Sequence, residues 1–224
     1  MPYQYIHIGK TGGTLIQNVL RSLPQEHRGQ FRILGHDVTL PQAVEERPQM
    51  PVFFSVRRPA ALFVSGFNSR LRQGRPTYDR PWNRREAVAF SVFGTPNELA
   101  EALSAEDPHL RASAEFSMLS INHVRKGLRW HLRDIECLEQ HQASIAFILL
   151  QERLEQDLRA FADRVGVPLE LAEVSPGERL HTALPEDATR LSDTGLANIT
   201  RWYRADQEIY DWCAERHDRA PAAG

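Results

Sequence analysis

The stretch that most constrains the fold is residues 3–23. An apolar, aromatic run over 3–8 stops abruptly at Gly9-Lys10-Thr11-Gly12-Gly13-Thr14, after which Ile16, Val19, Leu20 and Leu23 recur at helical spacing. The pattern predicts a buried strand, a tight loop over 9–14 and an amphipathic helix over 15–23. Glycines let the backbone curl so that successive N–H groups point at one centre. The following helix adds its unpaired N–H groups and the positive end of its dipole, and Lys10 adds a full charge. Such a loop binds an anion, most often a phosphate. The plainer alternative is a glycine-rich turn with a solvated lysine.

The loop differs from the nucleotide loop G-x-x-x-x-G-K-[ST]. Gly9-Lys10-Thr11 fits its second half, but Gln4 stands where the first glycine belongs. No acidic residue at the end of another strand offers itself as a magnesium ligand. The expectation is an anion cradle that works without that apparatus.

Three further short apolar runs, 31–34, 52–56 and 145–150, read as strands. The run 52–56 leads straight into Arg57-Arg58-Pro59. Pro59 suits the first turn of a helix, to which Leu62, Phe63, Val64, Phe67 and Leu71 give an apolar side, with Ser65 inside it. An arginine at the end of a core strand is costly to bury unless it meets an anion; the alternative is that Arg57 and Arg58 are solvated or pair with nearby acids. The run 31–34 ends at Gly35-His36-Asp37, and open α/β sheets place functional groups just past their strand ends. His36 is therefore a candidate base, or else a surface histidine. The expected architecture is a three-layer α/β fold, a mostly parallel sheet of these four strands with helices on both faces.

Gly9-Lys10-Thr11-Gly12-Gly13-Thr14 together with Val56-Arg57-Arg58-Pro59-x-x-x-x-x-Ser65 resembles the two nucleotide signatures of the sulfotransferase superfamily. The likeness is closest to its carbohydrate and bacterial branch, whose loop commonly reads K-[TA]-[GA]-[GS]-T after an apolar strand. The resemblance implies a P-loop-NTPase-like fold and 3′-phosphoadenosine 5′-phosphosulfate as co-substrate. It implies that Gly9, Lys10, Thr11, Gly12, Gly13 and Thr14 cradle the 5′-phosphosulfate, and that Arg57 and Ser65 grip the 3′-phosphate. The family's second motif typically reads R-[DNK]-P-x-x-R-x-x-S; here Arg58 replaces its second residue and Leu62 its second arginine. Gly35-His36 resembles the Gly-His loop in which uronosyl sulfotransferases place a catalytic histidine. That implies His36 as the base, with Asp37 and His123 as alternates, and Lys10 as the group that offsets charge on the transferring sulfuryl. The scheme needs no metal. One sulfotransferase-like domain over 1–224 is expected, with acceptor-site insertions at 72–142 and 170–187.

The remaining segments are less specific. Residues 71–85 form a basic loop, Arg72, Arg75, Arg80, Arg84 and Arg85 with Tyr78 and Trp82 between, which suits an anionic or sugar acceptor, single-stranded nucleic acid, or solvent alone. The 90–103 segment reads as helix broken near Gly94-Thr95-Pro96, and 109–132 as helical or irregular. Residues 154–165 read as an amphipathic helix capped by Gly166. The polar stretch 170–187, with Arg179 and His181, reads as a loop or lid. Leu196, Ile199, Trp202, Tyr203, Tyr210 and Cys213 mark a closing helix expected to pack on the sheet.

With 42% hydrophobic residues in 224, the chain can bury a sizeable core, and a net charge of -2 argues against a general polyanion binder, so nucleic acid is not expected as a partner. Cys137 and Cys213 are the only cysteines, too few and too far apart for a disulfide scaffold or zinc cluster. No apolar run approaches about 18 residues, so no membrane span is expected, and with no leader-like stretch the expected location is cytoplasmic. The expected activity is sulfuryl transfer to a hydroxyl or amine of a carbohydrate or small metabolite. An ATP- or GTP-dependent small-molecule kinase and a non-catalytic anion or nucleic-acid binding module are the rival readings.

Overall fold

The computed structural model describes residues 2–76, 78–169 and 189–219; the segment with Arg179 and His181 lies outside them. In chain order the elements are β1 (Tyr3–Ile6), α1 (Gly13–Ser22), α2 (Gln25–Arg28), β2 (Phe31–Ile33), α3 (Leu40–Glu46), β3 (Val52–Val56) and α4 (Pro59–Leu71). There follow α5 (Arg84–Val92), α6 (Pro96–Ala102), α7 (Pro108–Ser120), α8 (Asn122–Arg125), α9 (Leu128–Leu132), α10 (Ile135–Gln140), β4 (Ile145–Leu150), α11 (Leu154–Val165), α12 (Asp193–Trp202) and α13 (Arg204–Arg219). Contacts divide the described chain into two compact units. Among the described residues the first comprises 2–57, 128–169 and 208–219, the second 58–76, 78–127 and 189–207.

The first unit is α/β. Its four strands are all parallel, in the order β2-β1-β3-β4. Alternation along β1 sorts the two faces. Tyr5, with Phe53 and Leu149, packs against Ile16, Val19 and Leu20 of α1 and Leu158 and Phe161 of α11. Phe53 and Phe161 stack with centroids 4.4 Å apart. Gln4 points the other way, fully buried, and its amide donates to the carbonyls of Ala43 (3.0 Å) on α3 and Met50 (3.1 Å). Helices thus cover both faces, as a parallel sheet requires. At the end of β4, buried Asp157 of α11 accepts from the Leu150 N–H at 2.7 Å and from Arg153 at 3.1 Å, so this post-strand carboxylate serves structure.

The expected strand over 3–8 ends two residues early. Tyr5 pairs with Ile33 and Ile6 with Phe54, and the chain then turns, the Ile8 N–H donating back to the Ile6 carbonyl at 3.1 Å.

The second unit is helical. Phe63 and Phe67 of α4, Leu99 of α6, Met118 of α7, Val124 of α8 and Ile199 of α12 form its core. A buried ion pair organises the basic loop: Arg70 donates to Glu86 at 2.7 and 2.9 Å and to the carbonyls of Arg80 and Pro81. Glu86 also accepts from the N–H groups of Asn83 and Asn122, both at 3.1 Å. Trp82 donates to the Arg70 carbonyl at 2.7 Å, and Arg75 pairs with Asp79, so the loop is pinned rather than splayed. The expected helix break after residue 92 is present. The closing helix breaks at Tyr203: α12 packs on α4 and α6, while in α13 the His217 ring stands edge-on to Phe147 of β4, with centroids 6.4 Å apart. Tyr203 fixes that break, its buried hydroxyl donating to the Val124 carbonyl at 2.7 Å. Among the described residues no helix is long and apolar enough to cross a membrane.

Candidate functional site at the carboxyl edge of the sheet

Because all four strands are parallel, the residues that follow them leave from one edge: 7–12 after β1, 34–37 after β2, Arg57 after β3 and 151–153 after β4. The order also sets a crevice. From β1 the chain moves through α1 to β2 on one side, then through α3 to β3 on the other, with α1 and α3 on opposite faces. Ligands of open α/β sheets bind where the strand order reverses in this way. The loop 9–12 and Arg57 both emerge there.

The loop is held from below. Thr11 is fully buried, and its hydroxyl donates to the Ile8 carbonyl at 2.8 Å. Its one proton being spent, Thr11 must accept from Ser55 at 2.7 Å, and Ser55 in turn from Tyr5 at 3.4 Å. Burial pushes the Tyr5 hydroxyl far up, against a smaller opposing effect of the Ser55 bond, so it stays neutral. The side chain of Thr11 is thus an anchor, and only its N–H remains for a ligand. Lys10 and Gly12 both have left-handed backbones, at φ 66° and 92°. That conformation is uncommon for lysine and is characteristic of residues whose N–H groups are turned to one centre. At Gly12 a Cβ would also run into Leu154.

The start of α1 is open. Among the described residues no side chain caps it, and its first turn, with Thr14 exposed, carries no acid. By contrast Asn83, Thr95, Asp134 and Ser192 cap α5, α6, α10 and α12. Arg57 lies beside this opening, its Nη1 donating to the Lys10 carbonyl at 3.3 Å. Among the described residues its buried Nε has no hydrogen-bond partner. Burial lowers the Arg57 pKa, and the attraction of Glu152 offsets that in part.

His36 is exposed just past β2, and its ring lies against that of His7 with centroids 3.7 Å apart and planes inclined by 38°. His7 is fixed in turn by Gln17 of α1, whose Nε2 donates to His7 Nδ1 at 2.6 Å. A Cβ at Gly13 would collide with His7 Nε2, so this glycine makes room for a histidine as well as opening the helix.

The first unit therefore brings together 9–14, Arg57 and His36. Arg58 is exposed. Ser65 belongs to α4 of the second unit, half-buried, and the next residue, Gly66, packs on α8: a Cβ there would stand 2.9 Å from the His123 carbonyl. Sequence reasoning missed Ser55, Gln17 and the close pairing of His7. The signal for Ser55 was present, since it is the one hydroxyl in an otherwise apolar five-residue strand; Gln17 carried none. No family model matches the chain, and no curated protein or solved structure does either.

Proposed function

We propose that the protein is a sulfotransferase, moving a sulfuryl group from 3′-phosphoadenosine 5′-phosphosulfate to an acceptor hydroxyl or amine of a carbohydrate or small metabolite, on a P-loop-like fold. The observation that carries the reading is Arg57. A partly desolvated guanidinium, with a buried Nε lacking a partner among the described residues, stands beside an uncapped helix start and a left-handed loop at the reversal of strand order. A cation in that setting is completed by a bound anion, and the resemblance of the sequence motif supports a phosphosulfate nucleotide in that place.

In this scheme the N–H groups of 9–14 and the Lys10 ammonium hold the 5′-phosphosulfate. They offset the charge that gathers on the bridging oxygen as its bond to sulfur breaks. Arg57 holds the 3′-phosphate, so that binding remote from the reacting atoms orients them. His36 takes the proton of the acceptor as the new bond to sulfur forms, then releases it to solvent. The donor supplies the sulfuryl group, and adenosine 3′,5′-bisphosphate is the leaving product.

Thermal shift tests the donor. The bisphosphate should stabilise the protein more than ADP does, without magnesium; ligand stabilisation reaches about 2.7 kcal/mol at a hundredfold excess over the dissociation constant. Equal shifts from ADP and the bisphosphate, or a strict need for magnesium, would count against the reading and favour a kinase.

A further inference from the structure

Two successive residues of the anion loop are gripped from β3 and its exit. The Ser55 hydroxyl meets that of Thr11 at 2.7 Å, and Arg57, two residues further along, reaches the Lys10 carbonyl at 3.3 Å. We propose that Ser55 is a positioning residue for the loop: its hydroxyl fixes Thr11 from β3 and so holds residues 10–12 in the conformation that receives an anion. That an anion is received rests on the transfer reading; the hold itself rests on geometry.

Lys10 and Gly12 flank Thr11 with left-handed backbones, at φ 66° and 92°. A lysine keeps that conformation only where its surroundings over-determine it. Thr11 supplies such a constraint. Its β-branched side chain has little freedom about χ1, and its hydroxyl is bound twice, donating to the Ile8 carbonyl at 2.8 Å and accepting from Ser55 at 2.7 Å. The first bond is internal to the turn and would travel with it; of the two, only the second ties the turn to another strand. Alternation puts Ser55 on the face of Phe53, where α1 packs. Its neighbours in β3, Val52, Phe53, Phe54 and Val56, carry no polar side-chain atom that could give the same tie. Ser55 is fully buried, and a hydroxyl in such a place must be hydrogen-bonded. Tyr5 donates to it at 3.4 Å, a long contact for two hydroxyls, so Thr11 is its principal partner. At Gly12 the support is steric, from Leu154 at the start of α11. Alanine at position 55 would remove the tie and leave Tyr5 and Thr11 each short of a partner, so loop order and stability have to be measured separately.

The test follows the loop and the ligand in the intact protein. Backbone carbon shifts from NMR report the sign of φ at Lys10. Thr11→Val removes the same bond from the loop side and keeps the shape of the side chain. In Ser55→Ala and in Thr11→Val the Lys10 shifts should lose the left-handed signature or split into several sets. Affinity for adenosine 3′,5′-bisphosphate, measured by calorimetry, should fall about tenfold in each, the effect of one buried hydrogen bond. The double variant should lose no more than either single one, because both break one interaction. Thr11→Ser, which keeps the hydroxyl, should restore most of what Thr11→Val loses. A bond that only stabilises the fold would lower the free energy of unfolding in denaturant and leave shifts and affinity unchanged; that result overturns the proposal, and so do additive losses in the double variant. If Ser55→Ala does not fold, Thr11→Val against Thr11→Ser decides alone. Altered Lys10 shifts in the variants, without nucleotide binding by the unaltered protein, remove the transfer reading and keep the hold. Binding that no variant weakens removes the positioning role and keeps the transfer reading.

Discussion

At the scale of residues, two neighbours of identical type have different surroundings. Arg57 is partly desolvated and touches the Lys10 carbonyl, whereas Arg58 is exposed. Arg57→Ala should weaken adenosine 3′,5′-bisphosphate binding by about 1.5–3 kcal/mol, the range for hydrogen bonds to a charged group. Arg58→Ala should do less. Titration calorimetry on both variants decides it, and a larger loss at Arg58 would displace the motif by one residue. His36 makes a separable prediction. His36→Ala should slow turnover about 10²–10⁴-fold while leaving bisphosphate affinity nearly unchanged, because a base acting on the acceptor need not touch the nucleotide. Near-normal turnover would move the role to Asp37 or His123, and loss of nucleotide binding would make His36 part of the donor site.

At the scale of elements, the beginning of α1 is the informative end. Asn83, Thr95, Asp134 and Ser192 close the first turns of α5, α6, α10 and α12, while α1, like α4, has neither a side-chain cap nor an acid in its first turn. An acid introduced there would interact favourably with the helix dipole but would compete with a bound anion. Thr14→Glu should therefore raise stability by about 0.3–1 kcal/mol and abolish the thermal shift given by the bisphosphate. A plain glycine turn gives the first effect without the second, so denaturation of this variant with and without nucleotide separates the two. The same contrast tells how much of the site was legible. Loop, helix start and Arg57 are local in sequence, and their chemistry can be read there. The Tyr5–Ser55–Thr11 chain of hydroxyls joins residues up to 50 positions apart, and no local pattern announces it.

At the scale of the whole molecule, buried titratable groups set the pH range of stability. Burial tends to raise the Glu86 carboxyl, but the bonds from Arg70, Asn122 and Asn83 outweigh it and hold it below the ordinary value. Its contribution is then complete above the unfolded carboxyl range, about pH 4.3, and is lost as pH falls through the lower folded value. Burial holds the Tyr203 hydroxyl well up, with Asp206 adding to the effect, and burial does the same at Tyr5. Their contribution is complete below about pH 10 and is lost as pH rises towards the folded values. Glu86→Gln leaves Arg70 as an uncompensated buried charge and should cost about 3–5 kcal/mol near neutral pH. It should also flatten the acid limb. Chemical denaturation across pH measures both; an acid limb unchanged in the variant would assign it to other carboxylates.

The sequence by itself determined the kinds of element, their order along the chain and the chemistry of the first loop. Strand runs, helical spacing and glycine positions act through neighbours a few residues apart, and such information is carried locally. The tertiary structure decided the rest. Strand order set a crevice between β1 and β3 and brought Arg57 to the Lys10 carbonyl across 47 residues. It turned Thr11 inward as an anchor, laid His36 on His7, and broke the last helical pattern at Tyr203 so that α12 joined a helical core. Each of these outcomes depends on burial and pairing between distant segments: a hydroxyl, an imidazole or a guanidinium takes its role from the partner that folding brings within hydrogen-bond or packing distance.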